Sequence, residues 1–363
     1  MRIKYFLLFA VVVITGFTTS AQQLRVVDND GLPIGAVCVT NENGALVGTT
    51  DNDGYVTNSK GVDRLFFSHV AFKPKTVLTD TLTSAVVVMD DVNYQLAELN
   101  VKPKELAYVQ TYYRCAYVTD EGPIYFRSGV SDNTYEFAKK KITAKKRSVA
   151  RGKNQIYRFT ISTFIGGTLD KWASLDTTTL YTRVKRFARK GKITITEDLE
   201  TGRKILSDSI STLGYIEDDL ERGERTVSFD LFTFHDHIDA AEAEKKGKKK
   251  KKKSDSETTH SHYFEKYRID EHGKMLVGDI IIKQALVTGH MDQLDTDYII
   301  LFEGFTTGRD YIDKKEFKQT RKDNEVEMNI VELRQFEQAH NIPPMAPNIQ
   351  AQIDKLFKKE LSK

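Results

Sequence analysis

From Gln22 to about Asn100 the apolar residues come in short runs with turn residues between them and no helical period. Residues 24–27 run into Asp28-Asn29-Asp30-Gly31, residues 34–39 into Asn41-Glu42-Asn43-Gly44, and residues 45–49 into Asp51-Asn52-Asp53-Gly54. Residues 55–56, 65–70 and 85–89 continue the series. Asn and Asp bond their own backbone two residues on, and Gly supplies a positive φ, so each cluster reads as a tight turn. Turns at this spacing predict an all-β sandwich over residues 22–100.

The rest of the chain shows longer alternation. Residues 108–118 and 124–126 flank the turn Thr119-Asp120-Glu121-Gly122-Pro123, and residues 139–151 form a basic stretch read as solvated. Ile156 to Ile161 alternates. Ile193-Thr194-Ile195 turns at Glu200-Thr201-Gly202 into Lys204-Ile205-Leu206. Residues 227–231, 263–269, 275–282 and 298–302 add strands, with Asp270-Glu271-His272-Gly273 as a further turn. One polar face per strand predicts an antiparallel β-meander or half-barrel over residues 101–340. Ile330, Val331, Leu333 and Phe336 mark one helix. Beyond a Pro-rich linker, Ile349, Ile353, Leu356 and Phe357 mark another, with Asn348 as its cap, so residues 341–363 read as linker and amphipathic helix. The fold class expected is mainly β with C-terminal helices.

The first residues indicate export. Arg2 and Lys4 precede the apolar residues 6–14, and Thr19-Ser20-Ala21 gives small residues for cleavage ahead of Gln22, so residues 1–21 read as a signal peptide. The apolar run is short for a membrane anchor. The first cysteine is Cys38, so no N-terminal lipid anchor follows by that route. The expected location is the periplasm or the outer-membrane surface. Net charge is +3; without Arg2 and Lys4 it is +1, and without the eight lysines between Lys245 and Lys253 the remainder sums to −7. A basic average made by one run is not the distributed basic face nucleic acid needs, so that partner class is set aside.

Three motifs in order carry a resemblance. The first is Asp28-x-x-Gly31-x-Pro33-Ile34-x-Ala36, leading into a strand that ends at Val39. The second is Gly48-Thr49-Thr50-Asp51-x-Asp53-Gly54-Tyr55, and the third Leu65-Phe66-Phe67-Ser68-His69-Val70-Ala71-Phe72. Together they resemble the carboxypeptidase-regulatory-like domain found at the start of exported envelope proteins of Bacteroidetes-type bacteria, TonB-dependent receptors among them. Ala71 stands where that family usually has Gly. The resemblance implies a non-catalytic sandwich that packs against or presents a neighbouring domain. About 260 residues remain after it, too few for a plug and a large transport barrel. Strand order and compartment make the remainder faintly similar to the half-barrels of lipoprotein carriers, which implies an acyl ligand on the concave face.

Candidate chemistry is sparse. His235-Asp236-His237-Ile238-Asp239 looks like the opening of the metallo-β-lactamase zinc motif, with Ala240 where its last His belongs. His260 and His262 lie across the lysine run, and four imidazoles at His235, His237, His260 and His262 would suit zinc or copper if the strands brought them together. Nearby ammonium groups oppose such a site. Asp28 and Asp51 each open a calcium-like loop, yet Val39 and Val62 stand at the closing position, so both read as turns. No Gly-x-Ser-x-Gly elbow occurs, Gly166-Gly167 is a lone pair, and neither Cys38 nor Cys115 has a nucleophile context. A disulfide between the two cysteines would have to join the two domains; otherwise they are small buried side chains.

Residues 241–259 read as an unpacked excursion because eight lysines offer nothing to offset ordering entropy. Lys248, Lys249, Lys250, Lys251, Lys252 and Lys253 are its candidate contacts to an anionic membrane surface. No catalytic residue or cofactor is expected, and beyond the four candidate histidines no metal ligand. The functional expectation is an exported, non-enzymatic binding or structural protein whose β-rich domain takes a lipid or an envelope protein; the alternative is a metal-dependent hydrolase using the four histidines.

Overall fold

A computed structural model describes residues 23–57, 62–82, 84–94, 105–153, 179–245, 256–275, 279–292, 295–323 and 328–362. Residues 1–21 (expected as a signal peptide), the expected strand at 156–161, Gly166-Gly167 and Lys248 to Lys253 lie outside them.

Seven short strands build the first unit: β1 (Gln23–Val27), β2 (Cys38–Thr40), β3 (Leu46–Thr49), β4 (Tyr55–Thr57), β5 (Arg64–His69), β6 (Phe72–Leu78) and β7 (Val86–Val88). They form two sheets, β4-β1-β7 and β3-β2-β5-β6. Leu24, Val26, Val37, Val39, Leu65, Phe67 and Met89 fill the space between the sheets. Alternation puts every second side chain inward, which is why so few residues per strand suffice.

The turns repeat one device. Asp28 Oδ1 accepts from the N–H groups of Asp30 (3.0 Å) and Leu32 (2.8 Å), and Asp51 Oδ1 from those of Asp53 (3.0 Å) and Tyr55 (2.8 Å). Asn41 and Asp270 do the same at their own turns. Each loop then passes through a glycine at positive φ, +80° for Gly31 and Gly54. The aspartates that open the calcium-like sequences therefore serve the backbone of their own turns.

Ten antiparallel strands form the second unit: β8 (Leu106–Thr119), β9 (Gly122–Glu136), β10 (Lys141–Lys153), β11 (Thr194–Glu197), β12 (Lys204–Ser207), β13 (Thr212–Asp219), β14 (Glu224–Asp230), β15 (Ser256–Arg268), β16 (Ile280–Met291) and β17 (Thr296–Ile312). Their order is β10-β9-β8-β17-β16-β15-β14-β13-β12-β11. The last strand returns to pair with β8, leaving β10 and β11 as edges, so the sheet is a large open one rather than a closed barrel. The helices are α1 (Leu180–Arg189), α2 (Leu231–Lys245), α3 (Lys314–Asp323), α4 (Ile330–Ala339), α5 (Pro347–Leu356) and α6 (Lys358–Leu361). No described helix is long and apolar enough to cross a membrane.

The two faces of the sheet serve different cores. Tyr112, Ala116, Phe126, Leu286, Leu301 and Phe305 join the sandwich interior and Ile349, Ile353 and Phe357 in one continuous cluster. On the opposite face, Val227, Phe229 and Tyr267 pack against Leu180 and Val184 of α1 and Phe234 of α2. Cys115, Tyr117, Ile300 and Phe302 continue the apolar strip there.

Several expectations change. The basic stretch at 139–151 is largely the edge strand β10, which pairs antiparallel with β9 and shifts register between Arg147 and Val149. The residues around His235 and His237 are helical: Asp230 accepts from the N–H of Thr233 (3.0 Å), opening α2, and Leu231, Phe234 and Ile238 follow at helical spacing. Residues 241–245 of the expected excursion belong to this helix, and 256–259 to β15. Asn348 does not cap α5. It lies inside the helix, which Pro347 opens, and donates to Thr40 Oγ1 and the Asn41 carbonyl, both at 2.7 Å. Ile342, Met345 and Ala346 are buried, so the Pro-rich segment is packed rather than a loose tether.

Candidate functional site

The sandwich docks on the sheet face that carries Ser228, His262 and Phe264. Tyr94 donates to the Thr306 carbonyl (2.7 Å), Asn52 to that of Thr212 (2.8 Å) and Arg203 to that of Pro33 (3.2 Å). At the other end, Gln352 of α5 donates to the Asn43 carbonyl (2.6 Å). Backbone carbonyls of sandwich turns are thus satisfied by side chains from the second unit, and the reverse.

Where the two surfaces part they leave a cleft of about 620 Å³, walled by Asp91, Asn93 and Tyr94 from the sandwich and by Arg222, Glu224 and Lys266 from the sheet. A smaller space of about 120 Å³ shares Asp91, Arg222, Glu224 and Lys266 and runs on to Asp28, Arg203 and Glu217. Lys266 and Glu224 pair at 3.2 Å. Arg222 reaches Asp91 (3.7 Å) across the mouth and Asp219 (3.5 Å) on its own hairpin. Deeper in, Arg203 holds Glu217 (2.8 Å), lies near Asp28 (3.7 Å) and covers the Tyr215 ring at 4.2 Å. Burial raises the Asp28 carboxyl above its ordinary value, against two backbone N–H groups and Arg203. The walls carry both signs of charge, with Ile281 and Phe264 as apolar floor.

Beside the cleft lie three imidazoles. His69 of β5 meets Phe264 edge-on at 4.8 Å, and its Nδ1 accepts from the Ala71 N–H at 3.2 Å. His262 Nε2 lies 3.1 Å from Ser228 Oγ, and its ring stacks 5.9 Å from that of His260. Burial pushes His69 down to about 3, helped by Lys266. Burial also pushes His262 well down, with His260 and His69 adding to it. His260 is lowered by burial too, against Asp230. Ser228 and His262 have the atoms of a nucleophile–base pair, but they are 2 % and 3 % exposed beneath the sandwich. A hydroxyl so enclosed cannot meet a substrate without undocking.

The four histidines singled out from sequence are not brought together. His235 is exposed on α2, and His237 of the same helix bonds Asp208 through Nδ1 at 2.6 Å. Residues two apart on a helix diverge, unlike those on a strand. Phe234 of α2 packs against Phe229 at 5.5 Å, whereas His262 bonds Ser228, the neighbour of Phe229 whose side chain points to the other face. The two pairs therefore sit on opposite sides of the sheet. Among the described residues no group of three or more His, Cys, Asp and Glu could hold a metal ion. Cys38 and Cys115 are both free and buried, the first in the sandwich core and the second on the far face of the sheet.

One polar cluster was missed. Arg114 of β8 donates through Nε to Glu303 Oε2 of β17 (2.5 Å) and through Nη2 to the Pro343 carbonyl (2.8 Å). Its Nη1 reaches Glu337 of α4 at 3.3 Å, and Glu337 also accepts from Tyr112 (2.5 Å) and Arg334 (2.9 Å). The signal was present: Arg114 interrupts Tyr112-Tyr113-Arg114-Cys115-Ala116 and Glu303 interrupts Leu301-Phe302-Glu303-Gly304-Phe305. A lone charge amid a strand buried on both faces calls for a partner. No protein-family model matches this sequence, and no curated protein aligns with it.

Proposed function

We propose that this chain is an exported, non-catalytic envelope protein, in which a carboxypeptidase-regulatory-like sandwich and the antiparallel sheet together hold a polypeptide partner. The observation that carries this reading is the cleft of about 620 Å³ whose two walls come from the two units. Its lining favours an envelope protein over an acyl chain, since Asp91, Arg222, Glu224 and Lys266 present charges and hydrogen-bonding groups where a hydrocarbon would need apolar walls. The sheet face bearing Tyr112 and Phe305 is already filled by the sandwich and α5. The enclosed Ser228–His262 pair supports a binding role over a hydrolytic one.

The test is a photo-reactive residue at Asn93, inside the cleft, and another at Asp239, exposed on α2 against the opposite face of the sheet, in chains expressed in the native envelope. A protein adduct formed from Asn93 that is absent from Asp239, or differs from the one formed there, supports the reading. No adduct at Asn93, or the same adduct from both positions, overturns it.

A further inference from the structure

We infer that the β9–β10 hairpin, with the first residue of the edge strand β10, and the helix α3 form one basic surface that docks on an anionic phospholipid bilayer. The surface is separate from the cleft and does not depend on it. Lys139, Lys140 and Lys141 stand in a row at the hairpin, and α3 presents Lys314, Lys315 and Lys318 against Glu316. The two elements are far apart in sequence but joined in space. Glu136, at the end of β9, pairs with Lys139 of the hairpin (3.4 Å) and with Lys314 of α3 (2.8 Å). Lys139, Lys140, Lys141, Lys314, Lys315 and Lys318 are all exposed.

Lysines on an edge strand have an ordinary explanation, since they discourage pairing with other chains. That accounts for β10 but not for α3, which has no edge to protect. Beneath the lysines lie aromatic side chains: Phe137 meets Tyr135 at 5.3 Å and Tyr311 at 6.2 Å, and Phe317 meets Tyr108 at 6.4 Å. Cations above aromatic side chains suit the headgroup region of a bilayer, where amphipathic rings and lysines both find partners. The hairpin also keeps a conformation that a lysine disfavours. Lys140 has φ +49°, a left-handed geometry in which Gly or Asn would sit more easily. A charge held at the tip against local preference marks a position where the charge is used.

The test is co-sedimentation of the full chain with vesicles of phosphatidylcholine, with and without phosphatidylglycerol. A background in which Lys248 to Lys253 are replaced by Ser removes the lysine run. In that background the protein is expected to bind only the anionic vesicles and to be released at about 1 M salt, where the Debye length is about 3 Å. Lys314→Gln/Lys315→Gln/Lys318→Gln should weaken binding by at least roughly tenfold, given the usual contribution of a lysine near an anionic surface. Lys140→Gly should lower binding while raising the melting temperature, which a misfolded variant cannot do. The proposal is overturned if the background protein ignores anionic vesicles, if the triple variant binds as the parent does, or if a nucleic-acid duplex competes the protein off the vesicles at lower concentration than the lipid binds it.

Discussion

Arg114 and Glu303 stand directly opposite each other in the register of β8 and β17, and their side chains meet at 2.5 Å beneath the C-terminal helices. Glu337 completes the group from α4. Burial alone would raise the Glu337 carboxyl, but Arg114 and Arg334 outweigh it and hold it below the ordinary range. The cluster fastens α4 and the segment through Pro343 to the centre of the sheet. Replacing Arg114 by Met strands two buried carboxylates and is expected to cost about 3–5 kcal/mol in urea unfolding at pH 7. The deficit should shrink as pH falls and the Glu337 carboxyl takes up a proton. A variant as stable as the parent at pH 7 would show that the cluster contributes nothing.

The buried imidazoles set an acid limit. His69 is held at about 3 in the folded protein, against 6.5 unfolded. Between those values the unfolded chain binds more protons, so stability is full above about 6.5 and declines as pH falls toward about 3. From pH 6.5 to 5 the loss is expected to be about 2 kcal/mol from His69. His262, shifted the same way, adds its own share. His69→Phe should flatten the profile over this window, even if the variant is less stable at pH 7. An unchanged slope would locate the acid sensitivity elsewhere.

Two glycines separate steric from conformational cost. Gly31 and Gly54 share a φ of +80°, yet a Cβ on Gly31 meets nothing within 4 Å, whereas one on Gly54 collides with the Val26 carbonyl. Gly31→Ala is expected to cost about 1–2 kcal/mol, the left-handed penalty alone. Gly54→Ala should cost clearly more in the same thermal melt. Equal losses would mean that β1 yields to the added methyl.

Thiol chemistry reports on the packing. Burial pushes Cys38 up to about 12, and Cys115 is raised further by burial and Glu303, against Arg127. Both should resist iodoacetamide in the native protein and react in denaturant, without prior reduction, as two thiols. Labelling of either in the folded chain, or a need for reductant, would contradict the assignment.

Local pattern alone determined the turns and many of the strands of this chain. Asp28, Asn41, Asp51 and Asp270 act through amides two and four residues away, so a few residues of sequence carry the whole device. The Ile330 helix was legible for the same reason, its cap and stripe being local: Asn329 accepts from Val331 and Glu332 while Glu332 reaches back. What needed tertiary structure was every property set by register or by face. Arg114 and Glu303 are 189 residues apart, and only the pairing of the last strand with β8 makes them neighbours. Asn348 has the residue type of a cap, but the sandwich turn at Asn41 claimed its amide instead. Residue type groups His235 and His237 with His260 and His262, yet helix formation turns the first pair to the far side of the sheet. Side-chain period is short-ranged, whereas the partner across a sheet depends on where the chain returns, and no local interaction encodes that.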